Sequence, residues 1–214
     1  MAEGPNRQAS AREFSLDRTL SRYSIVAIAL HWLIALLILA NIVLAWTFQN
    51  MPKGLTAFQL IQLHKSLGIT VLLLSVVRLG WRLANPPPAA PPMPRWQHLA
   101  SQVAHWAFYA IMIGMPLSGW VMVSASKLGL PTLLYGVIPW PHIPFIHDLP
   151  PTAKKAWDDG ADNVHSALAW VAYVLIPLHV AAALKHQFYD RDDLLARMVP
   201  FLGAAKPKAA PHAP

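Results

Sequence analysis

Four apolar stretches, each long enough to cross a bilayer and each containing a histidine, constrain the fold of this chain more than any other feature. They run roughly over residues 25–48, 60–82, 98–124 and 163–186; the histidines inside them include His31, His64, His165 and His179. A hydrocarbon core is spanned by about 20 apolar residues in a helix. Within lipid every backbone polar group must be satisfied internally, so stretches of this length read as helices. The expected fold class is therefore all-α, an integral membrane four-helix bundle. Ionisable side chains inside such helices are costly and rare, which makes each buried histidine a functional-site candidate.

Composition supports the membrane reading. Only 13% of residues are charged, about half of what a soluble domain carries. The net charge of +7 is placed as a topology signal, because cytoplasmic flanks of spans collect Lys and Arg. Arg7, Arg12, Arg18 and Arg22 precede the first span, Arg78, Arg82 and Arg95 lie at the second-to-third connection, and Lys185, Arg191, Arg197, Lys206 and Lys208 follow the fourth. The opposite side holds Lys53, Lys65, Lys127, Lys154 and Lys155. Both termini are expected to be cytoplasmic, and no nucleic-acid partner is implied; the basic side can also attract anionic membrane lipid. The first apolar run is too long for a signal peptide and no A-x-A-like cleavage site follows, so it reads as an uncleaved span.

The chain divides into a flexible segment over 1–20, a membrane domain over 21–200 and a disordered tail over 201–214. Asn85 through Pro94 is proline-rich and favours a stiff extended connection. A long outer connection, about 125–162, carries Trp140-Pro141-His142-Ile143-Pro144-Phe145-Ile146-His147; a loop of that length is either functional or disordered. No internal repeat is visible. Pro116 and Pro177 fall inside spans three and four, where neighbouring helices can satisfy the freed carbonyls.

His165 and His179 are fourteen residues apart. That spacing returns a helix to within roughly 40° of its starting direction, about 21 Å further along. One helix thus carries two imidazoles on one face at two depths. His64 shares the outer depth with His165; only the loop residues His142 and His147 compete for that pairing. His31 and His105 both share the inner depth with His179, and spacing does not choose between them. The chain has no cysteine, which excludes iron–sulfur clusters and covalent C-x-x-C-H haem attachment. A structural zinc usually gathers four ligands at one point, whereas here two histidines meet at each of two depths. Two bis-histidine haems suit that pattern better.

Other residues follow the same geometry. Arg78 is fourteen residues after His64 and faces the same way one level deeper, where its fork of donors can pair a haem propionate. Gly68, one turn from His64, leaves room for a porphyrin, and Ala169, Ala172 and Ala183 keep one side of span four slim. Small residues also pack membrane helices together. His186, seven residues past His179, returns to within about 20° of the same face.

The ordered set of motifs resembles the bacterial cytochrome b561 family of small di-haem membrane cytochromes. It comprises Arg22-Tyr23-Ser24 leading to His31-Trp32, Leu63-His64-Lys65-Ser66-Leu67-Gly68-Ile69, and Val77-Arg78-Leu79 with Arg82. Span three contributes His105 and Met115-Pro116-Leu117-Ser118-Gly119. Span four contributes His165 and Leu178-His179-Val180-Ala181-Ala182-Ala183-Leu184-Lys185-His186, followed by Asp193-Leu194-Leu195-Ala196-Arg197-Met198. The resemblance covers about residues 20–200 and implies two haem b groups ligated by His31 with His179 and by His64 with His165. It further implies a multi-pass protein of the bacterial inner membrane that moves electrons between cytoplasmic-side ubiquinone and a periplasmic donor or acceptor. In some members the donor is superoxide, which makes the expected activity that of an oxidoreductase. On that reading His186, with His105 and Arg78, forms the candidate quinone pocket and proton source; no individual catalytic residue is implied.

Two alternatives stand beside this expectation. One is a quinol-linked cytochrome b subunit that exchanges electrons with a periplasmic redox protein. The other is a haem-free transporter or scaffold whose histidines relay protons. The outer connection has a net charge of −1, from Lys127, Lys154 and Lys155 against Asp148, Asp158, Asp159 and Asp162. Steering of an anion therefore has to come from Lys65, Lys154 or Lys155 placed close to the outer haem.

Overall fold

The computed structural model describes residues 23–88, 93–192, 194–199 and 202. The segment 1–20, Arg22, Asp193 and all of the 201–214 tail except Leu202 lie outside the described residues.

Four long helices form the molecule: α1 (Ile25–Gln49), α2 (Leu55–Ala84), α3 (Arg95–Ala125) and α5 (Pro151–Lys185). All four are long and apolar enough to cross a membrane. Helix α1 starts where Ser24 Oγ accepts the Ala27 amide hydrogen at 3.2 Å, which satisfies one of the orphan donors of a first turn. Helices α3 and α5 both follow prolines, and Pro151 occupies the first turn of α5, where a missing N–H costs nothing. Around the bundle α1 packs on α2, α2 on α3 and α3 on α5. Trp46 Nε1, donating to Tyr173 Oη at 3.0 Å, ties α1 to α5.

A small core of Ile34, Val71, Tyr109 and Met112 joins the first three helices. Leu36, Val43, Val76, Val77, Trp170, Val174 and Leu178 stay exposed, as side chains that face lipid do. Pro116 and Pro177 sit inside continuous helices.

The fourth span is the main correction to the sequence reading. Its helix begins at Pro151, not near residue 163, and runs for 35 residues. At 1.5 Å per residue that is about 50 Å, well beyond a hydrocarbon core of about 30 Å. The extra turns carry charge, with Lys155 paired to Asp159 at 2.7 Å.

The outer connection is correspondingly short and is ordered. It holds a hairpin, β1 (Thr132–Leu134) with β2 (Ile138–Trp140), and a one-turn helix α4 (Pro144–His147). The hairpin turn needs left-handed backbone at Tyr135 (φ 53°) and Gly136 (φ 77°). Gly136 adopts it freely; Tyr135 is held there by its amide, which donates to Ser66 Oγ at 2.9 Å, and by its hydroxyl, 2.6 Å from Thr70 Oγ1. The Ile143 amide on Ser124 Oγ (2.9 Å) and Trp120 Nε1 on the Pro141 carbonyl (2.8 Å) dock the rest onto α3. This segment closes one end of the bundle, the loop end. The other, the terminus end, gathers Ser24, Trp81 and the chain after α5.

Candidate functional site

At the loop end, α2 and α5 bring His64 and His165 together with ring centres 6.3 Å apart and planes at 62°. His64 Nδ1 lies 3.2 Å from the Asn41 carbonyl. His165 Nδ1 lies 3.0 Å from the Met115 carbonyl and 3.0 Å from Ser118 Oγ, whose own proton goes to Met115. A carbonyl only accepts, so both rings carry their proton on Nδ1 and present Nε2 as a free lone pair. Metal-ligating histidines are usually oriented in this way by a partner on the second nitrogen. Gly119 backs the His165 ring, where an added Cβ would stand 3.5 Å from Cε1. Phe48 meets His64 edge-on at 5.4 Å.

At the terminus end, His31 on α1 and His179 on α5 have ring centres 6.3 Å apart with planes at 64°. The two pairs thus have nearly the same mutual geometry. A metal–nitrogen bond of about 2 Å and roughly 1 Å from nitrogen to ring centre place two imidazoles on one metal about 6 Å apart. Both pairs meet that requirement. His105 on α3 is 6.2 Å from His179 with planes at 77°, so distance alone leaves it beside His31 as a partner, as the sequence did.

Arg78 stands where its fourteen-residue offset from His64 placed it, one level deeper and beside His31. Its Nη2 is 3.3 Å from His31 Nδ1, and its guanidinium lies 5.7 Å from the Tyr109 ring centre. Since Arg only donates, His31 Nδ1 accepts here and its proton sits on Nε2. Binding a metal through Nε2 moves that proton to Nδ1 and releases Arg78 to another acceptor. A carboxylate suits its fork.

His186 occupies a distinct setting. It opens a π-helical turn, His186–Asp190, that ends in left-handed Arg191 (φ 55°). Its Nδ1 is 2.5 Å from Asp192 Oδ2 and 3.2 Å from Asp190 Oδ2. Arg78 and His105 come together with His31 and His179, whereas His186 engages these two carboxylates.

The loop end also collects polar groups the sequence reading did not single out as a set. His142 and His147 stack face to face at 4.8 Å and 8°, and it is His64 that meets His165. Gln62 Oε1, Thr132 Oγ1, Trp140 Nε1, His142 Nε2 and His147 Nδ1 are buried without a protein partner, and such groups ordinarily bind water or a polar ligand. Burial, then the neighbouring His147, Lys65 and Lys154, hold His142 below the usual histidine range, so its ring is neutral. Local positive charge there comes from Lys65 and Lys154, because Lys155 is engaged by Asp159. Among the residues to which sequence reasoning gave no role, Asn41 was visible as an amide inside an apolar span and Ser118 as a hydroxyl one turn past Gly114. Asp192 lay beyond the span and carried no such signal.

Comparison with known proteins shows the family. A profile of the family described as prokaryotic cytochrome b561 matches residues 22–201. Cytochrome b561 homolog 2 of Escherichia coli (strain K12) is 32% identical over 191 residues, covering 86% of this chain and 95% of that protein. A protein named probable superoxide oxidase CybB, from Yersinia pestis, is 32% identical over 188 residues, covering 84% and 96%. Cytochrome b562 of Cereibacter sphaeroides is 27% identical over 189 residues, covering 83% and 94%. Four spanning helices, histidines meeting at two levels between them, and matches over nearly the whole membrane domain lead to one assignment: the chain belongs to the prokaryotic cytochrome b561 family.

Proposed function

We propose that this chain is a di-haem b electron carrier of the bacterial inner membrane that oxidises superoxide at the loop end and reduces ubiquinone at the terminus end. Membership of the family implies haem b and a redox role in a multi-pass bacterial membrane protein. The observation that carries the finer reading is the repeated 6.3 Å pairing, His64 with His165 and His31 with His179. When bound, haem b supplies reversible one-electron chemistry. The chain's own residues do the rest. The Asn41 and Met115 carbonyls fix the tautomers of the loop-end ligands, and Arg78 is placed to pair a propionate. His105 and His186 supply polar and protic groups on the quinone side.

The basic residues Arg78, Arg82, Arg95, Lys185, Arg191 and Arg197 support a cytoplasmic terminus end, since cytoplasmic flanks of spans collect Lys and Arg. The loop end then faces the periplasm. Two superoxide anions lose one electron each and leave as dioxygen, while one quinone takes two electrons and two cytoplasmic protons to become quinol. The name of the Yersinia relative, a probable superoxide oxidase, supports the donor chosen here.

The test is haem content followed by turnover. Detergent-purified protein is expected to hold two haem b per chain and to form one quinol per two superoxide anions consumed. No haem would return the histidines to proton relay or packing. Two haems reduced no faster by superoxide than by chance collision with buffer reductants would favour a periplasmic redox protein as partner.

Anion entry gives a second expectation. Lys65 and Lys154 act together on His142, which places both cations at the loop end. Replacing both with glutamine should slow superoxide-driven haem reduction by about three- to tenfold at low salt, as loss of electrostatic steering does. The gap should shrink as ionic strength rises and the Debye length falls to about 8 Å. Stopped-flow reduction at two salt concentrations reads both effects; a salt-independent difference would remove the lysines from steering.

A further inference from the structure

We propose that Asp192 positions His186 as the proton donor to the quinone, forming a carboxylate–imidazole dyad at the terminus end. This rests on the reading of that end as the quinone side.

Residues six apart in a regular α-helix are separated by about 120° and about 9 Å along the axis, so 186 and 192 should not meet. The backbone departs from helix geometry to bring them together. After Lys185 the chain widens into the π turn His186–Asp190, then passes through left-handed Arg191. The amides of Arg191 and Asp192 both fold back onto the His186 carbonyl. A non-glycine residue with positive φ persists only where its surroundings hold it, and π turns are frequent at functional sites.

The product of this folding is specific. Asp192 Oδ2 sits 2.5 Å from His186 Nδ1, while its Oδ1 accepts the Leu194 amide at 3.3 Å. Both side chains are largely shielded, at 17% and 21% exposure. Asp190 is a weaker partner of the ring at 3.2 Å, and its carboxylate already binds Lys185 Nζ at 2.5 Å. Asp192 is thus the carboxylate free to act on the imidazole.

The Asp192 carboxylate accepts the Nδ1–H of the ring, which fixes the tautomer and makes Nε2 the nitrogen that exchanges a proton with the quinone. The step balances simply. Nε2–H passes its proton to a quinone oxygen as an electron arrives, the neutral ring is reprotonated from cytoplasmic water, and a second round completes the quinol. Asp192 stays ionised throughout.

The experiment uses the holoprotein, reduced and then mixed with ubiquinone-1, with haem reoxidation followed in a stopped-flow instrument. Ferricyanide, which takes an electron without a proton, serves as the second oxidant. Asp192→Asn is expected to slow reoxidation by quinone about tenfold, in line with loss of a partner that orients a functional histidine. The haem spectrum and the ferricyanide rate should be unchanged, and the solvent deuterium effect should increase. Asp192→Glu should recover most of the rate, and Asp190→Asn should change it less than about threefold. A fast Asp192→Asn beside a slow His186→Gln overturns the dyad and leaves the quinone side standing. His186→Gln at the wild-type rate overturns both. Equal slowing with the two oxidants assigns Asp192 a structural role and overturns the proposal. Wild-type protein slowed by EDTA as far as Asp192→Asn also overturns it, in favour of a cation held by His186, Asp190 and Asp192. Where Asp192→Asn lowers haem content, Asp192→Glu decides: full haem content with a rate as slow as His186→Gln overturns the proposal.

Discussion

Replacing His165 with alanine is expected to leave one haem b per chain in place of two and to abolish reduction by superoxide. His165 is held from two sides, by the Met115 carbonyl and by Ser118 Oγ, each at 3.0 Å from Nδ1. That grip leaves Nε2 as its free lone pair, beside a partner, His64, whose Nδ1 is likewise occupied by a carbonyl. Removing one ring leaves a single imidazole at that level. The pair at the terminus end lies about 21 Å away along α5 and shares no ligand with it. The variant should therefore keep a normal bis-histidine spectrum at half intensity. It should still be reduced by dithionite, yet superoxide should no longer deliver electrons, since the proposed route has lost its first carrier at the loop end. His64→Ala should behave the same way. Ser118→Ala removes only one contact on Nδ1 and should weaken haem retention by about 10-fold or more without eliminating it. Haem quantified per chain, with the reduced-minus-oxidised spectrum, decides the matter. Two haems in His165→Ala would sever the ring from ligation, and none would make the two levels a single cooperative site.

How far the sequence reached follows from what each residue reports. Hydropathy reports solvent, so the apolar stretches located the four spans closely. It could not locate the start of α5, because the turns from Pro151 to Asp162 are helical in water, supported by Lys155 with Asp159. Helical repeat reports depth and direction along one element. It therefore placed His165, His179 and the pair His64 and Arg78 well. It said nothing of lateral position between helices, so spacing left His31 and His105 equivalent, and packing likewise places both about 6 Å from His179. The hairpin escaped notice because its strands are three residues each and owe their place to distant groups on α2, such as Ser66. The meeting of Asp192 with His186 depends on one left-handed residue, Arg191, and arginine gives no warning of that conformation.

His31→Ala is expected to lose the haem of the terminus end, while His105→Ala keeps both. Separation does not distinguish them, at 6.3 and 6.2 Å from His179; the likeness of the His31 pair to the loop-end pair and the place of Arg78 favour His31. The His31–His179 planes meet at 64°, close to the 62° of the loop-end pair, whereas His105 stands at 77°. His31 also has Arg78 at its Nδ1, a cation that a porphyrin carboxylate can claim once Nε2 binds metal. His105 instead engages the Ser101 carbonyl through its ring, and as a third imidazole it suits proton or propionate contacts. The His31→Ala protein should therefore contain one haem, still reducible by superoxide at the loop end but unable to pass electrons to quinone. The His105→Ala protein should contain two, with slower quinone reduction as its main defect. Arg78→Gln should fall between, with both haems present when haem is abundant and the terminus-end one lost first on dilution. The three variants, measured for haem per chain and for separate superoxide and quinone half-reactions, give patterns that do not overlap. If His105→Ala drops to one haem and His31→Ala holds two, α3 rather than α1 supplies the ligand. Arg78 would then be a positioning partner of a non-ligating His31, and the electron route would run between α3 and α5 at that level.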